Sequence, residues 1–493
     1  MNVYNQNLDE GKITEINSLI GKTCEALNVE AYIVGGFIRD RIIGIPINDI
    51  DIVVSDKPEE IVKIVSEELS GTYFLINSDH AMYRINAQLG YSMLNIDIGL
   101  FEESIYDDLS NRDFTINAIA IGLDSKFSTL EVDKLIDPYC GVADIKNKVI
   151  KTTTKHSFLG DPLRLLRCIR LYAELGFEID KQTIQLLKSN VCKINDVSGE
   201  RIREELFKIL SLPNVLDYLN ILDDVGILCE LIPELEETRN VIQPKEHYWD
   251  VFEHLINSAS MAGKMFENTN GIDFVRKNVP RFPEMETFFK EKISDGQTRL
   301  TFLKFTALLH DIGKPKTRTI DSSGKIRFLT HSEVGSNIAD GIMNRLRISN
   351  KGIGIVKTMI ENHLRPAQMS QSGELPTDKA IYRYFRDVGE VAVDTLYLDL
   401  SDYLAMRGPN LTEEEWEEHC ERTDYIIKRN MLVQKRQEEK DSVLLNGDEI
   451  MENFDLCPGP KIGTLIAKIK EAQAMGHIKS RDEALIFLES NIN

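Results

Sequence analysis

Two aspartates one residue apart, Asp49 and Asp51 in the run NDIDIVV, are the first residues of the chain whose type and spacing point to chemistry. In a strand, side chains two apart share a face, so both carboxylates aim at one point. Paired hard oxygen ligands suit Mg2+, which keeps waters and substrate phosphates in its shell. Just upstream, Gly35-Gly36 offers backbone amides free of side chains, as in phosphate-binding turns, and Arg39-Asp40 follows. A D-x-D pair alone reads more readily as two solvated acids after a turn; the glycine pair, the basic-acidic pair and the strand context in the same unit reverse that reading to phosphate and metal. Asp97, the one carboxylate in the apolar run Leu94 to Ile98, is either a hydrogen-bonded strand acid or a third carboxylate that shares the metal or accepts a hydroxyl proton.

A second set is histidine-rich. HYWDVFEHLINSA carries His247 and His254, TALLHDIGKPKT carries His310-Asp311, and His331, His363, Asp399 and Asp402 follow. Imidazole with carboxylate suits Mn2+, Fe, Ni2+ or Zn2+ more than Mg2+ alone. Ligands spread over separate helices converge only inside a helical bundle. A lone buried histidine is usually a satisfied core residue, whereas an adjacent His-Asp pair followed by Gly-Lys-Pro, with histidines on both sides, is a ligand pattern.

The elements that must position these residues are legible in part. Ala31 to Val34 and Ile50 to Val54 read as strands, Phe37 to Ile43 between them as a helix ending near Gly44 and Pro46. Ile13 to Leu27 has helical spacing, and KPEEIVKIVSEEL places Pro58 in a helical first turn. Thr72 to Ile76, Met82 to Gln88 and Leu94 to Ile98 read as further strands. Arg112-Asp113 precedes a mostly apolar segment, and Ile136 to Ile150 reads as a Gly- and Pro-punctuated connection. Beyond Arg407, TEEEWEEHCERTDYIIKRNMLVQKRQEEK reads as one long, mostly solvated charged helix. An amphipathic helix with Lys461, Lys468 and Lys470 follows Gly459-Pro460.

At 493 residues the chain exceeds the size of a single core, so two to four domains are expected. It has no run of eighteen apolar residues, and MNVYNQNLDEGK lacks the features of a signal peptide, which predicts a cytoplasmic protein with no membrane partner. Seven cysteines without a C-x-x-C pair argue against a disulfide framework and a zinc ribbon. A net charge of -21 opposes binding to nucleic acid, yet Gly141 to Leu210 holds thirteen Lys/Arg against nine Asp/Glu, a local basic surplus compatible with RNA.

The motifs GGFIRD, DID, RDFTINAIAI and IDPYCGVADIKNKVI together resemble the bacterial tRNA nucleotidyltransferase and poly(A) polymerase family, the class II CCA-adding enzymes. GDPLRLLRCIRLYAELGF is similar to that family's base-selecting segment and VSGERIREELFKIL to its neck helix, so the resemblance covers roughly the first 215 residues. It implies an α/β nucleotidyltransferase head with a polymerase-beta-like mixed sheet and helices, followed by all-α neck, HD and tail domains, at 1–150, 151–242, 243–408 and 409–493. It also implies Mg2+ at Asp49 and Asp51, with Asp97 a candidate third catalytic carboxylate. Gly35, Gly36, Arg39 and Asp40 would line the triphosphate, Arg112, Asp113 and Asn117 the ribose and phosphates. Asp161 and Arg164 would face the base from one side of a helix, with Arg167 a further nucleotide-binding residue. A carboxylate there accepts from the exocyclic amines of C and A and rejects uracil's carbonyl. Many relatives carry a glutamate directly before that aspartate, where this chain has Gly160.

His254, His310, Asp311 and Asp402 stand in the places of the H…HD…D signature, which resembles the HD phosphohydrolase domain. His331 and His363 would be further ligands or would bind phosphate. The last segment resembles the helical tail of the longer bacterial members, either gripping the tRNA elbow or simply packing. The expectation is an enzyme adding CMP, CMP and AMP to tRNA from CTP and ATP by two-metal phosphoryl transfer, with a possible metal-dependent phosphohydrolase activity. The alternatives are poly(A) synthesis, CC-only or A-only addition, and an RNA-binding phosphohydrolase with an inactive head.

Overall fold

A six-stranded mixed sheet organises the N-terminal region, its strands β1 (Ala31–Val34), β2 (Asp49–Val54), β3 (Thr72–Asn77), β4 (Met82–Leu89), β5 (Ser92–Leu100) and β6 (Ala120–Gly122) arranged β3-β4-β5-β2-β1-β6. Strands β2 and β5 run parallel at its centre, and every other pairing is antiparallel. Their alternation explains the position: Ile50, Ile52 and Val54 with Leu94, Ile96 and Ile98 are buried, and the residues between them face the other side. The register sets Asp51 beside Asp97 and Asp49 beside Asn95. The helix Pro58–Glu68 starts with proline in its first turn and buries Ile61, Val62 and Val65. The expected mixed-sheet head followed by helical regions is what the chain forms.

The computed structural model describes residues 10–47, 49–78, 81–89, 92–101, 103–124, 131–267, 273–369, 374–438 and 444–490. Most of the MNVYNQNLDEGK stretch, and Glu439 and Lys440 at the expected end of the charged helix, lie outside the described residues. The chain divides into two units, Met1–Glu205 with Leu222–Leu231, and Leu206–Ile221 with Ile232–Asn493. In the second unit, Val251–Lys264 packs on Arg299–Leu309 and Ala392–Arg407, and His331–Arg345 on Asn350–Asn362. The last helices, Gly447–Phe454, Pro460–Ala474 and Arg481–Glu489, close over their own core of Leu445, Ile450, Ile462, Leu465, Ile469 and Leu488.

Two expectations are corrected here. The segment Ile136 to Ile150 is more than a connection: Gly141–Asn147 is helical and Val149–Ile150 pairs with Glu178–Ile179. Gly141 has to be glycine, because a Cβ there would sit 2.1 Å from the Thr115 carbonyl oxygen. The helix Glu413–Glu438 is not mostly solvated. Trp416, His419, Cys420, Thr423, Ile426, Ile427, Asn430 and Val433 are buried along one stripe, so its high charge occupies only the remaining faces.

Candidate functional site

Asp49 and Asp51 stand on β2 as expected, Asp49 exposed and Asp51 half-buried. Burial pushes the Asp51 carboxyl up to about 6; the Arg112 guanidinium pulls it back down, while Asp97 and Asp49 push it further up. Such a mutually repelling set is relieved by a cation. The partners of the other two acids are found only in the fold: Asn95 Nδ2 donates to Asp49 Oδ1 at 2.8 Å, and Arg84 grips both oxygens of Asp97 at 2.7 Å each. Asp97 is therefore a bidentate ion-pair partner beside the pair.

Gly35 has φ +73, and a Cβ there would lie 2.8 Å from Arg112 Nη1 and 3.3 Å from Asp51 Oδ2, so both conformation and space demand glycine. The expectation that its amide is free for phosphate fails. Gly35 N–H donates to Ile119 O at 3.2 Å, because β1 hands over to the Gly36–Ile43 helix beside that carbonyl. Gly36 opens the helix itself.

The remaining predicted residues form one polar chain. Arg39 donates to Asp40 and to Asn117 Oδ1 (2.7 Å), Asn117 Nδ2 donates to Asp113 Oδ1 (3.0 Å), and Arg167 donates through Nε and Nη2 to Asp113 Oδ2. Burial opposes ionisation of Asp113, but the Arg167 charge and the Asn117 and Phe114 hydrogen bonds outweigh it and hold the carboxyl at about 2. Asp113 thus fixes Arg167 and Asn117 rather than facing solvent.

Beside it is a cavity of about 330 Å³ lined by Arg112, Asp161, Arg164, Arg167 and Arg201. The structure brings Asp161 and Arg164 to one cavity but not to one helical face. The helix begins at Arg164, and Asp161 is extended (φ -146, ψ 104), because the following Pro162 disfavours helical geometry. Asp161 pairs with Arg201 at 2.8 Å, while Arg164 donates to Ser157 and to the Asn111 carbonyl. Arg201 went unassigned in the sequence, although it lies in the quoted VSGERIREEL segment. Gly160 has open space around it, with nothing within 4 Å of a built Cβ.

In the second unit His254, His310, Asp311 and Asp402 converge, and Asp311, His331 and His363 form a second group, the ligand atoms of each lying within 4.8 Å of one another. Asp311 belongs to both. Its Oδ2 is 3.3 Å from His254 and His310 Nε2, and its Oδ1 is 3.2 Å from His331 Nε2 and 3.7 Å from His363 Nε2. Asp402 Oδ1 is 3.0 Å from His254. The Nδ1 atoms of His310, His331 and His363 meet the carbonyls of Ala307, Phe328 and Ile360 at 2.6–2.8 Å. A carbonyl only accepts, so Nδ1 carries the proton and Nε2 turns its lone pair inward. His331 and His363 therefore face each other at 3.3 Å as two acceptors, beside an Asp311 Oδ1 that has no hydrogen-bond donor. Such a set fits a cation. Burial disfavours an imidazolium at His310, but Asp311 and Asp402 outweigh it and raise its pKa to about 10, so a cation bound there would displace the Nε2 proton.

Lys314, one helical turn after Asp311, reaches its Oδ2 at 2.5 Å and Gln243 at 2.7 Å; the HDIGKP string contained this signal. The cluster opens into a cavity of about 670 Å³. Asp399 lies on its wall, but binds His419 instead of joining the ligands. Among the described residues no helix is long and apolar enough to cross a membrane.

Residues 31–151 match the poly(A) polymerase head domain, 176–238 the probable RNA- and SrmB-binding site of polymerase A, and 251–407 the HD domain. Fold and site thus define a nucleotidyltransferase, an enzyme with an RNA-binding region and an HD domain. An A-adding tRNA nucleotidyltransferase of Deinococcus radiodurans is 27% identical over 93% of this chain and 95% of its own length. A CC-adding tRNA nucleotidyltransferase of Thermus thermophilus is 28% identical over 93% of each. A solved CCA-adding enzyme in complex with ATP shares the fold, with a TM-score of 0.64 at 22% identity over 99% of this chain and 97% of that one. Head, RNA-binding and HD domains thus occur together in this chain, which is similar over nearly its whole length to bacterial tRNA nucleotidyltransferases.

Proposed function

We propose that the head adds CMP and AMP from CTP and ATP to the 3′ end of tRNA, releasing pyrophosphate. The observation that carries this is Asp51 on a central strand, crowded by Asp49 and Asp97 and faced by Arg112, beside a cavity lined by Asp161 and Arg164. Asp49 and Asp51 would hold Mg2+, which supplies charge stabilisation and an activated 3′-hydroxyl. Arg112 and Arg39 bind phosphates, and Asp161 and Arg164 select the base. The division into head (1–150), neck (151–242), HD domain (243–408) and tail (409–493) belongs to this reading.

A second reading is partial addition, of CC alone or A alone. The near-full-length relatives named for one or the other favour it. Offering tRNA without its CCA end, and tRNA ending in CC, to the enzyme with each labelled nucleotide separates these: C then A on the first supports complete addition, C only or A only supports partial addition. Unlimited A would mean poly(A) synthesis, and no incorporation with Mg2+ would sink the transferase reading.

For the HD domain we infer a phosphohydrolase in which His254, His310, Asp311 and Asp402 would hold one cation of the Mn2+, Fe, Ni2+ or Zn2+ kind and Asp311, His331 and His363 a second, supplying charge stabilisation to the phosphate. The donor-free convergence of Asp311 Oδ1, His331 and His363 supports the second cation. Release of phosphate from 2′-phosphorylated or cyclic-phosphate RNA should disappear in His310→Ala and Asp311→Ala; activity that survives both removes the assignment.

A further inference from the structure

The HD cavity has a wall that lies outside residues 251–407, the span matching the HD domain. The helix Glu413–Glu438 turns Glu415, Glu418, His419 and Arg422 into it, a spacing of three, four and seven residues that defines one helical face. His419 is buried, and its Nε2 lies 2.8 Å from Asp399 Oδ2. The ring is stacked flat on Tyr403, with centroids 4.0 Å apart and an interplanar angle of 4°, and Trp416 lies beyond it in near-parallel orientation. A carboxylate accepts only, so Asp399 fixes the proton on Nε2 and assigns Nδ1 as the nitrogen available to a ligand. Arg422, half-buried one turn further on, has no ion-pair partner among the described residues, unlike Arg407, which is held by Glu415 at 2.6 Å.

An oriented imidazole and an unpaired guanidinium on one wall, with Asp311, His331, His363 and Asp402 on another wall of the same cavity, suit a phosphate ester spanning the space between them. We propose that His419, oriented by Asp399, is a catalytic residue of the HD site that protonates the leaving oxygen, and that Arg422 holds the phosphate. This rests on the phosphohydrolase reading above. A water oxygen forms the new bond to phosphorus and gives its proton to solvent. The bond from phosphorus to the leaving oxygen breaks with its electron pair on that oxygen, which takes a proton from Nδ1 of the His419 imidazolium and leaves the neutral ring with its remaining proton on Nε2, towards Asp399. Solvent then restores that proton.

The test compares two substrates on the manganese-loaded full chain. Adenosine 2′-monophosphate leaves as an alkoxide that needs a proton, whereas p-nitrophenyl phosphate leaves as a stable phenolate. His419→Gln should lower kcat on the first by about 100-fold and on the second by about threefold or less. Asp399→Asn, which keeps the ring, should show the same selectivity at about tenfold. Arg422→Ala should weaken inorganic phosphate, titrated calorimetrically, by about tenfold with manganese content unchanged. Equal slowing of both substrates in His419→Gln, or unaltered phosphate affinity in Arg422→Ala, overturns the assignment while leaving the phosphohydrolase intact. A wild-type chain that neither binds manganese nor hydrolyses either ester overturns the phosphohydrolase reading and this one with it. Unchanged manganese content of the HD site, with an unchanged urea midpoint of the second unit, reports that the variants fold.

Discussion

The two candidate metal centres differ in how far the protein has assembled them. In the second unit, ligands from separate helices converge, the lone pairs of His310, His331 and His363 are aimed by backbone carbonyls, and the cluster is almost wholly buried. In the head the acids sit on two neighbouring strands, Asp49 is exposed, and Asn95 and Arg84 already occupy oxygens of Asp49 and Asp97. Among the described residues only the histidine-aspartate groups bring three ligand atoms within 4.8 Å. The difference matches the chemistry. In the proposed reading, a resident cation would suit a fixed nitrogen-rich cage, whereas Mg2+ arriving with a triphosphate would need two carboxylates and leave the rest of its shell to phosphate and water.

The largest expected effect tests whether the centres are independent. Asp51→Asn should lower nucleotide incorporation on the order of a thousandfold, about 4 kcal/mol of barrier, with the manganese content of the HD domain unchanged. Asp311→Asn should do the reverse, emptying the HD site and leaving incorporation intact. If either variant abolishes both, the contrast drawn between the centres is wrong.

A smaller effect probes the support of the head site. Arg167→Met leaves the buried Asp113 carboxylate, whose side chain is 7% exposed, without its charge partner. It should destabilise the first unit by about 3 kcal/mol, read as a lower urea midpoint of its transition. The same pair predicts acid sensitivity. Since Asp113 is held at about 2, below its ordinary value, its contribution is complete above about pH 4 and is lost as pH falls towards 2.

The head's cation site should also respond to pH near neutrality. With Asp51 at about 6, a protonated carboxyl competes with Mg2+, so Mg2+ affinity should fall up to about tenfold per pH unit below 6. A flat affinity from pH 7 to 5 would show that Asp51 is not a ligand. The smallest effect is Gly160→Glu, which meets open space and should change stability by less than about 0.5 kcal/mol. Discrimination between C and U should rise if the glutamate orients the base-selecting pair.

Short-range pattern made the strands β1, β2 and β5, the Pro58 helix, the D-x-D pair and the His310-Asp311 pair legible, because their periodicities and chemistry are local. Other features were hidden for identifiable reasons. The Gly35 amide goes to a carbonyl on Ile119, far along the chain. Asp161 leaves its helix because of Pro162, a signal that the sequence does carry. His419 lay within a charged segment whose buried stripe is masked by seven acidic residues between Glu413 and Asp424.

By itself the sequence determined which groups are available: a carboxylate pair on a strand, a histidine-aspartate set on helices, and the motifs of one enzyme family. Only the tertiary structure decided which of them meet. Strand register set Asp97 beside Asp51, and Arg84 closed on it from the next strand. Helix packing made Asp311 common to two ligand groups and turned His419 towards the same cavity. Hydrogen bonds, ion pairs and ligand bonds act over about 3 Å, while the residues they join here lie tens of positions apart, and only packing sets those distances.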